Sequence, residues 1–322
     1  MSNILAITPI SIAGTLIMKG LIKGFEQLGH NVLVFDVREL NAQLIANFCP
    51  DFVIGYDYLH FIHPNAEKIV KELNIPVIHY FADAPDSVFS HSGDLELFNK
   101  LSNSDGIVFC WDKECLKTFK NKALYLPLGV DPELYQPQEN NLITSEIVFA
   151  GRPLTHTRIN VLCDIIRNFP DKLSIYSYKK HFETSVKEIE ETGLLEPSLL
   201  ENYKNSYKGF LEKEQDLANI YAGAKIVLNI TMDQGLSSMN YRVLEVLGSG
   251  GFLLTDQKQD TLDYFEDNIE LVTYKNNIDL INKISKYLQD DSLRAQIAQN
   301  GKNKVIKYHT FEQRAGVVLE NI

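Results

Sequence analysis

Short apolar runs that alternate with segments of helical spacing constrain this chain more than any other feature. Ile4–Thr8, Val32–Asp36, Phe52–Tyr56, Val77–Phe81, Ile107–Trp111 and Ala123–Leu126 are rich in β-branched or aromatic residues, as strands are. Between them lie stretches such as Leu16, Leu21, Phe25 and Leu28, which reach Gly29 where a helix C-terminus is expected. Fully apolar strands separated by helices form parallel sheets covered on both faces. A second set follows: Ile147–Ala150, Leu173–Tyr176, Ile226–Ile230, Phe252–Leu254 and Leu271–Thr273. The segment between the sets, residues 126–142, holds three prolines, a glycine and a polar tail, the composition of an interdomain linker.

The expected fold is therefore α/β, with two Rossmann-like domains in tandem whose parallel sheets face a central cleft. A length of 322 residues suits two domains. The net charge of −11 argues against non-specific binding to a phosphate backbone, so nucleic acid is not an expected partner. No run approaches the roughly 20 apolar residues of a membrane helix, which leaves peripheral membrane contact open. The four cysteines, Cys49, Cys110, Cys115 and Cys163, show no C-x-x-C spacing and read as free thiols. Residues 1–7 read as a first strand rather than a signal peptide, and a cytoplasmic location is the expectation.

In open parallel sheets ligands bind beyond the carboxyl ends of the strands, and the polar residues there fall into two groups. In the second half, Gly151 and Arg152 follow a strand directly and Arg158 comes six residues later. They suit either a grip on a diphosphate or a solvated loop before a helix. Ser237, Ser238 and Asn240 offer N-cap oxygens to a helix expected over Met239–Leu247, whose N-terminus would favour an anion. Arg242 and Glu245 lie one turn apart on its face, able to hold a diphosphate and a ribose diol or only each other.

In the first half, Gly14 sits in a loop after the first strand, where it serves either close approach of a ligand or a helix start. Asp83 follows the strand Val77–Phe81 and is the candidate for acceptor-side catalysis, with a turn or cap before Pro85 as the alternative. His79 falls inside that strand and reads as a core histidine. His60 and His63 with Asp57 make a weak metal pattern, and no metal is expected.

Four stretches resemble the glycosyltransferases of the GT-B fold, most closely the family of the spore maturation protein CgeB. Residues 240–256 are similar to that family's R-x-x-E-x-x-x-x-G-x-x-L-x-T-D signature, running from Arg242 and Glu245 to Asp256. Residues 126–137 resemble the GT-B linker motif, His79–Pro85 the family's aspartate-proline segment, and Tyr308–Arg314 its closing helix. The resemblance implies an acceptor-side domain over 1–137, a nucleotide-sugar domain over 143–306, and a C-terminal helix over 307–322 that packs back on the first.

By the same resemblance, Glu245 matches the residue that binds the donor ribose, and Ser237, Ser238, Met239 and Asn240 match a loop whose amides face the donor phosphates. Arg152 and Arg158 match basic residues against the diphosphate, and Gly209 and Phe210 fall where the base is framed. Retaining members often carry a second glutamate eight residues before the first. Ser237 stands there instead and brings no charge.

The implied activity is metal-independent transfer of a hexosyl or N-acetylhexosaminyl group to a hydroxyl of a glycan, lipid-linked or protein acceptor. Its donor would be a nucleoside diphosphate sugar, UDP- or GDP-linked, with no cofactor. The alternatives are a nucleotide-sugar epimerase and a non-catalytic binding protein of the same fold.

Overall fold

A computed structural model describes residues 1–58, 63–85, 106–120, 122–231 and 235–322. The first sheet is built from β1 (Asn3–Thr8), β2 (Asn31–Asp36), β3 (Phe52–Tyr56), β4 (Val77–Phe81), β5 (Ile107–Cys110) and β6 (Lys122–Tyr125), with α1 (Ile12–Gln27), α2 (Ala42–Phe48) and α3 (Pro64–Leu73) among its connections. Its six strands pair in the order β2-β1-β3-β4-β5-β6, all parallel. The second sheet begins with β7 (Ser145–Ala150), α4 (His156–Asn168), β8 (Leu173–Tyr176), α5 (Lys179–Thr192), α6 (Pro197–Asn205) and β9 (Tyr207–Gly209). It continues with α7 (Glu214–Gly223), β10 (Ala224–Asn229), α8 (Tyr241–Ser249), β11 (Leu253–Asp256), α9 (Gln259–Tyr264) and β12 (Val272–Tyr274). Its order is β12-β11-β10-β7-β8-β9, again all parallel. Three helices follow: α10 (Asn277–Leu288), α11 (Asp291–Tyr308) and α12 (Phe311–Leu319).

The contacts divide the chain into two units. One comprises Met1–Val130, the stretch ending at Ser238 and Tyr308–Ile322; the other comprises Asp131–Met232 and Met239–Lys307. Burial explains why the central strands are so apolar: Ile147, Val148, Ile226, Val227 and Leu228 are all fully buried, as strands covered on both faces must be.

Helix α12 belongs to the first unit and packs on α1. Two glycines let it approach: a Cβ on Gly20 would lie 2.1 Å from the Phe311 ring, and one on Gly24 would lie 2.5 Å from the Phe311 carbonyl oxygen. A Thr310–Gln313 capping box starts the helix. Arg314 then donates to the Leu128 carbonyl and pairs with His309, tying the segment to the end of the first unit's main run.

Within each sheet the strand order reverses once, between β1 and β3 in the first and between β7 and β10 in the second. A reversal sends the two outgoing loops to opposite sides and leaves a crevice at the carboxyl edge.

Candidate functional site

At the reversal in the second unit, Gly151 leaves β7 and Ile230 leaves β10. Arg242, on the first turn of α8, lays its guanidinium over Gly151. A Cβ there would lie 3.0 Å from Arg242 Nη1, so any larger residue would press on the guanidinium. Arg242 Nε donates to the Tyr221 hydroxyl at 3.0 Å and stands 3.6 Å from Glu245 Oε2. Glu245 is buried and accepts a 2.6 Å hydrogen bond on Oε1 from the Tyr135 hydroxyl. Arg242 and Glu245 therefore do share one helix face, with Glu245 held between a cation and a phenol.

Arg158 is buried, and burial with the neighbouring Arg242 pushes its guanidinium down to about 10. Its Nε and Nη2 donate to the Ile230 carbonyl at 3.0 and 2.6 Å, and Nη1 donates to the Arg152 carbonyl at 3.1 Å. These bonds fasten the turn after β7 to the end of β10 and satisfy carbonyls that have left the ladder. Arg152 itself is exposed.

One strand outward, Phe210 follows Gly209, whose φ of +99° favours glycine. The Phe210 ring stacks on Tyr178 with centroids 3.7 Å apart, and both rings are partly exposed. Burial together with Arg152 and Lys180 lowers the His181 pKa beside them. An aromatic shelf and a cation thus stand along the carboxyl ends of β7, β8 and β9.

Helix α8 begins at Tyr241, two residues later than the serines suggest. Its N-cap Asn240 makes no side-chain cap bond, and its side-chain nitrogen Nδ2 donates to Asn229 Oδ1. Ser237 is committed elsewhere as well. The amides of Leu236, Ser237 and Ser238 converge on Asp112 Oδ2 at 2.7, 3.1 and 3.2 Å, and Ser237 Oγ donates to Asp112 Oδ1 at 2.9 Å. Met239 is buried.

In the first unit, the room left by Gly14 is filled by its own surroundings. A Cβ there would lie 2.7 Å from both Pro9 Cγ and Ser11 Oγ and 3.0 Å from Tyr56 Cζ. Asp83 accepts from the Tyr56 hydroxyl at 3.4 Å, and burial raises its carboxyl above the usual range. Asp57 follows β3 at a φ of +50°. Burial and the nearby Asp83 hold its carboxyl well above the ordinary value, and its Oδ1 has no hydrogen-bond partner among the described residues. His79 lies buried in β4 against the Tyr58 ring. His60 lies outside the described residues, and among those described no group of three His, Cys, Asp or Glu could hold a metal ion.

A family model described as "Glycosyl transferase-like" matches residues 157–320, half of the chain. The chain belongs to this glycosyl transferase-like family. No curated protein matches it by sequence. Among solved structures it resembles Anabaena HepE in complex with UDP and glucose, with a TM-score of 0.71, 15% identity, and coverage of 100% of this chain and 99% of that one. Sucrose-phosphate synthase from Thermosynechococcus elongatus is similar at a TM-score of 0.70 and 12% identity, over 99% of this chain and 98% of that one. A glycosyltransferase from Rickettsia africae gives 0.68 and 15%, over 99% and 97%. At such identities the likeness establishes the fold, two parallel six-stranded sheets of the GT-B kind. No described helix of this family member is long and apolar enough to cross a membrane.

Asp112, Tyr135 and Tyr178 were not singled out by sequence reasoning. Tyr178 carried a faint signal, an aromatic residue two positions past a strand end.

Proposed function

We propose that this family member transfers a sugar from a nucleoside diphosphate sugar to a hydroxyl acceptor, as the resemblance to the CgeB-like family implies. One observation carries the reading: at the strand-order reversal of the second unit, Arg242 covers Gly151 while Glu245 is held beneath it by Tyr135. A guanidinium over a bare backbone turn suits a diphosphate, and a fixed carboxylate suits a ribose diol. The exposed Phe210–Tyr178 shelf offers a face for the base. HepE, of the same fold, was solved with UDP and glucose, which supports a uridine nucleotide as the first donor to test.

The first unit supplies the acceptor side. The bond from the donor sugar to its diphosphate breaks, and a bond from the acceptor oxygen to that sugar carbon forms. Arg152, Arg242 and the N-terminal end of α8 offset the charge that develops on the departing diphosphate. Asp83 takes the proton from the acceptor hydroxyl, a role its raised pKa favours. Arg158 positions the turn that carries Arg152 rather than meeting the ligand.

The test is a panel of UDP-, GDP- and dTDP-sugars, read by thermal shift and by slow hydrolysis. A ligand at about 100 times its Kd adds about 2.7 kcal/mol. At least one donor should therefore raise the melting temperature of the wild type and leave Glu245→Ala and Arg242→Ala unmoved. A panel that moves none of them refutes the donor site.

A further inference from the structure

We propose that Asp112 is an internal competitor for the donor loop: its carboxylate occupies the anion nest of Leu236, Ser237 and Ser238, and a donor phosphoryl group takes this loop only by displacing it. The inference deepens the proposed function and rests on it.

Three successive backbone amides pointing at one oxygen make an anion-binding concavity. Here that oxygen is Asp112 Oδ2, at 2.7, 3.1 and 3.2 Å. Oδ1 accepts from Ser237 Oγ and from the Glu114 amide, both at 2.9 Å. The carboxylate is fully buried. Burial works against its charge, yet the hydrogen bonds from Ser237 and Ser238 leave its pKa below the usual value.

Five donors saturate the two oxygens, so the carboxylate has no capacity left for a substrate hydroxyl. The same count makes occupancy exclusive, because each amide has one hydrogen to give. A phosphoryl oxygen asks for the same donors, and this loop runs directly into Met239, Asn240 and the helix bearing Arg242 and Glu245. An internal carboxylate therefore multiplies the affinity of the loop for any external anion by the fraction of time the nest is vacant.

The chain carries its own reporter. Trp111, adjacent to Asp112, is the sole tryptophan and is buried. Gly235 packs on it closely enough that a Cβ would lie 3.3 Å from its ring. Displacing the loop uncovers this indole.

The experiment titrates UDP and inorganic pyrophosphate into the full chain as wild type, Asp112→Asn and Asp112→Ala, by calorimetry and by emission excited at the indole edge. Removing the competing charge should tighten pyrophosphate by about tenfold or more, the factor of the weakest charge-assisted hydrogen bond. Saturating ligand should shift wild-type Trp111 emission to the red, towards that of unliganded Asp112→Ala.

Equal or weaker binding by a folded Asp112→Asn overturns the proposal. Should both variants fail to fold, wild-type Trp111 emission decides alone: an unchanged spectrum at saturation overturns it. If UDP binds and sugar is transferred while Trp111 stays unmoved, the competitor is refuted and the donor reading stands. If neither ligand binds any folded form, both fall.

Discussion

Replacing Tyr135 by phenylalanine tests whether Glu245 is fixed before any ligand arrives. The substitution removes one oxygen and leaves the ring, which keeps its edge contact with Tyr241 at 6.1 Å, so no cavity term enters. What is lost is a 2.6 Å hydrogen bond between a fully buried phenol and a buried carboxylate, together with that phenol's hydrogen bond with the Tyr241 hydroxyl. Burial and the adjacent Glu245 hold the Tyr135 phenol well above its ordinary pKa, so it is neutral and donates. A hydrogen bond to a charged group contributes about 1.5–3 kcal/mol. Arg242 at 3.6 Å offsets only part of the loss, since it faces the other carboxylate oxygen. Thermal midpoints move by roughly 2–4 °C per kcal/mol in domains of this size, so a drop of about 3–12 °C is expected. Urea denaturation of wild type, Tyr135→Phe, Glu245→Gln and the double variant would measure the coupling. A loss under about 0.5 kcal/mol, or additive single effects, would refute the idea that Tyr135 holds Glu245 in place.

Gly24→Ala should cost about 1–3 kcal/mol of stability in urea denaturation, because its Cβ would meet the Phe311 backbone, which cannot swing aside. Asp57→Asn should stabilise the protein at pH 7. The native Asp57 carboxyl holds its proton well above 3.8, so wild type gains stability as pH falls, while the amide is neutral throughout. Midpoints measured from pH 4 to 8 should converge towards the acid end, and a less stable Asn variant at pH 7 contradicts this. Phe210→Ala should weaken UDP by about 1 kcal/mol or more, the usual worth of a stacked base, and leave pyrophosphate binding unchanged by calorimetry. Arg152→Ala should weaken both ligands with little change in melting temperature, since its side chain is exposed.

The sheets were legible because their strands are buried on both faces, which forces apolar runs. Phe52–Tyr56, Val77–Phe81 and Leu173–Tyr176 match the observed bounds residue for residue. Strand β9 escaped because it is three residues of an outer strand, Tyr-Lys-Gly, with no burial pattern to read. The pairing of Arg242 with Glu245 was visible from helical spacing alone. The commitments of Arg158 and Ser237 were not. Arg158 looks like a free cation until the Ile230 carbonyl, 72 residues away, is brought to it. Ser237 looks like a helix cap until Asp112, 125 residues away, takes its donors. Local pattern reports which residue types stand at a strand end, and long-range hydrogen bonds decide which of them remain available.

The Gly20–Gly24 groove also bears on how the chain is made. Its occupant, Phe311, is encoded almost a whole chain later, although both belong to one folding unit. At about 5–20 residues per second, a ribosome reaches Phe311 about 15–60 s after Gly24. From the completion of β6 until Phe311 is made, the apolar seam of α1 stands uncovered beside an otherwise assembled sheet. Nascent chains stalled on a C-terminal spacer long enough to clear the ribosome, with and without residues 311–319, should therefore differ sharply in how they recruit a holding chaperone.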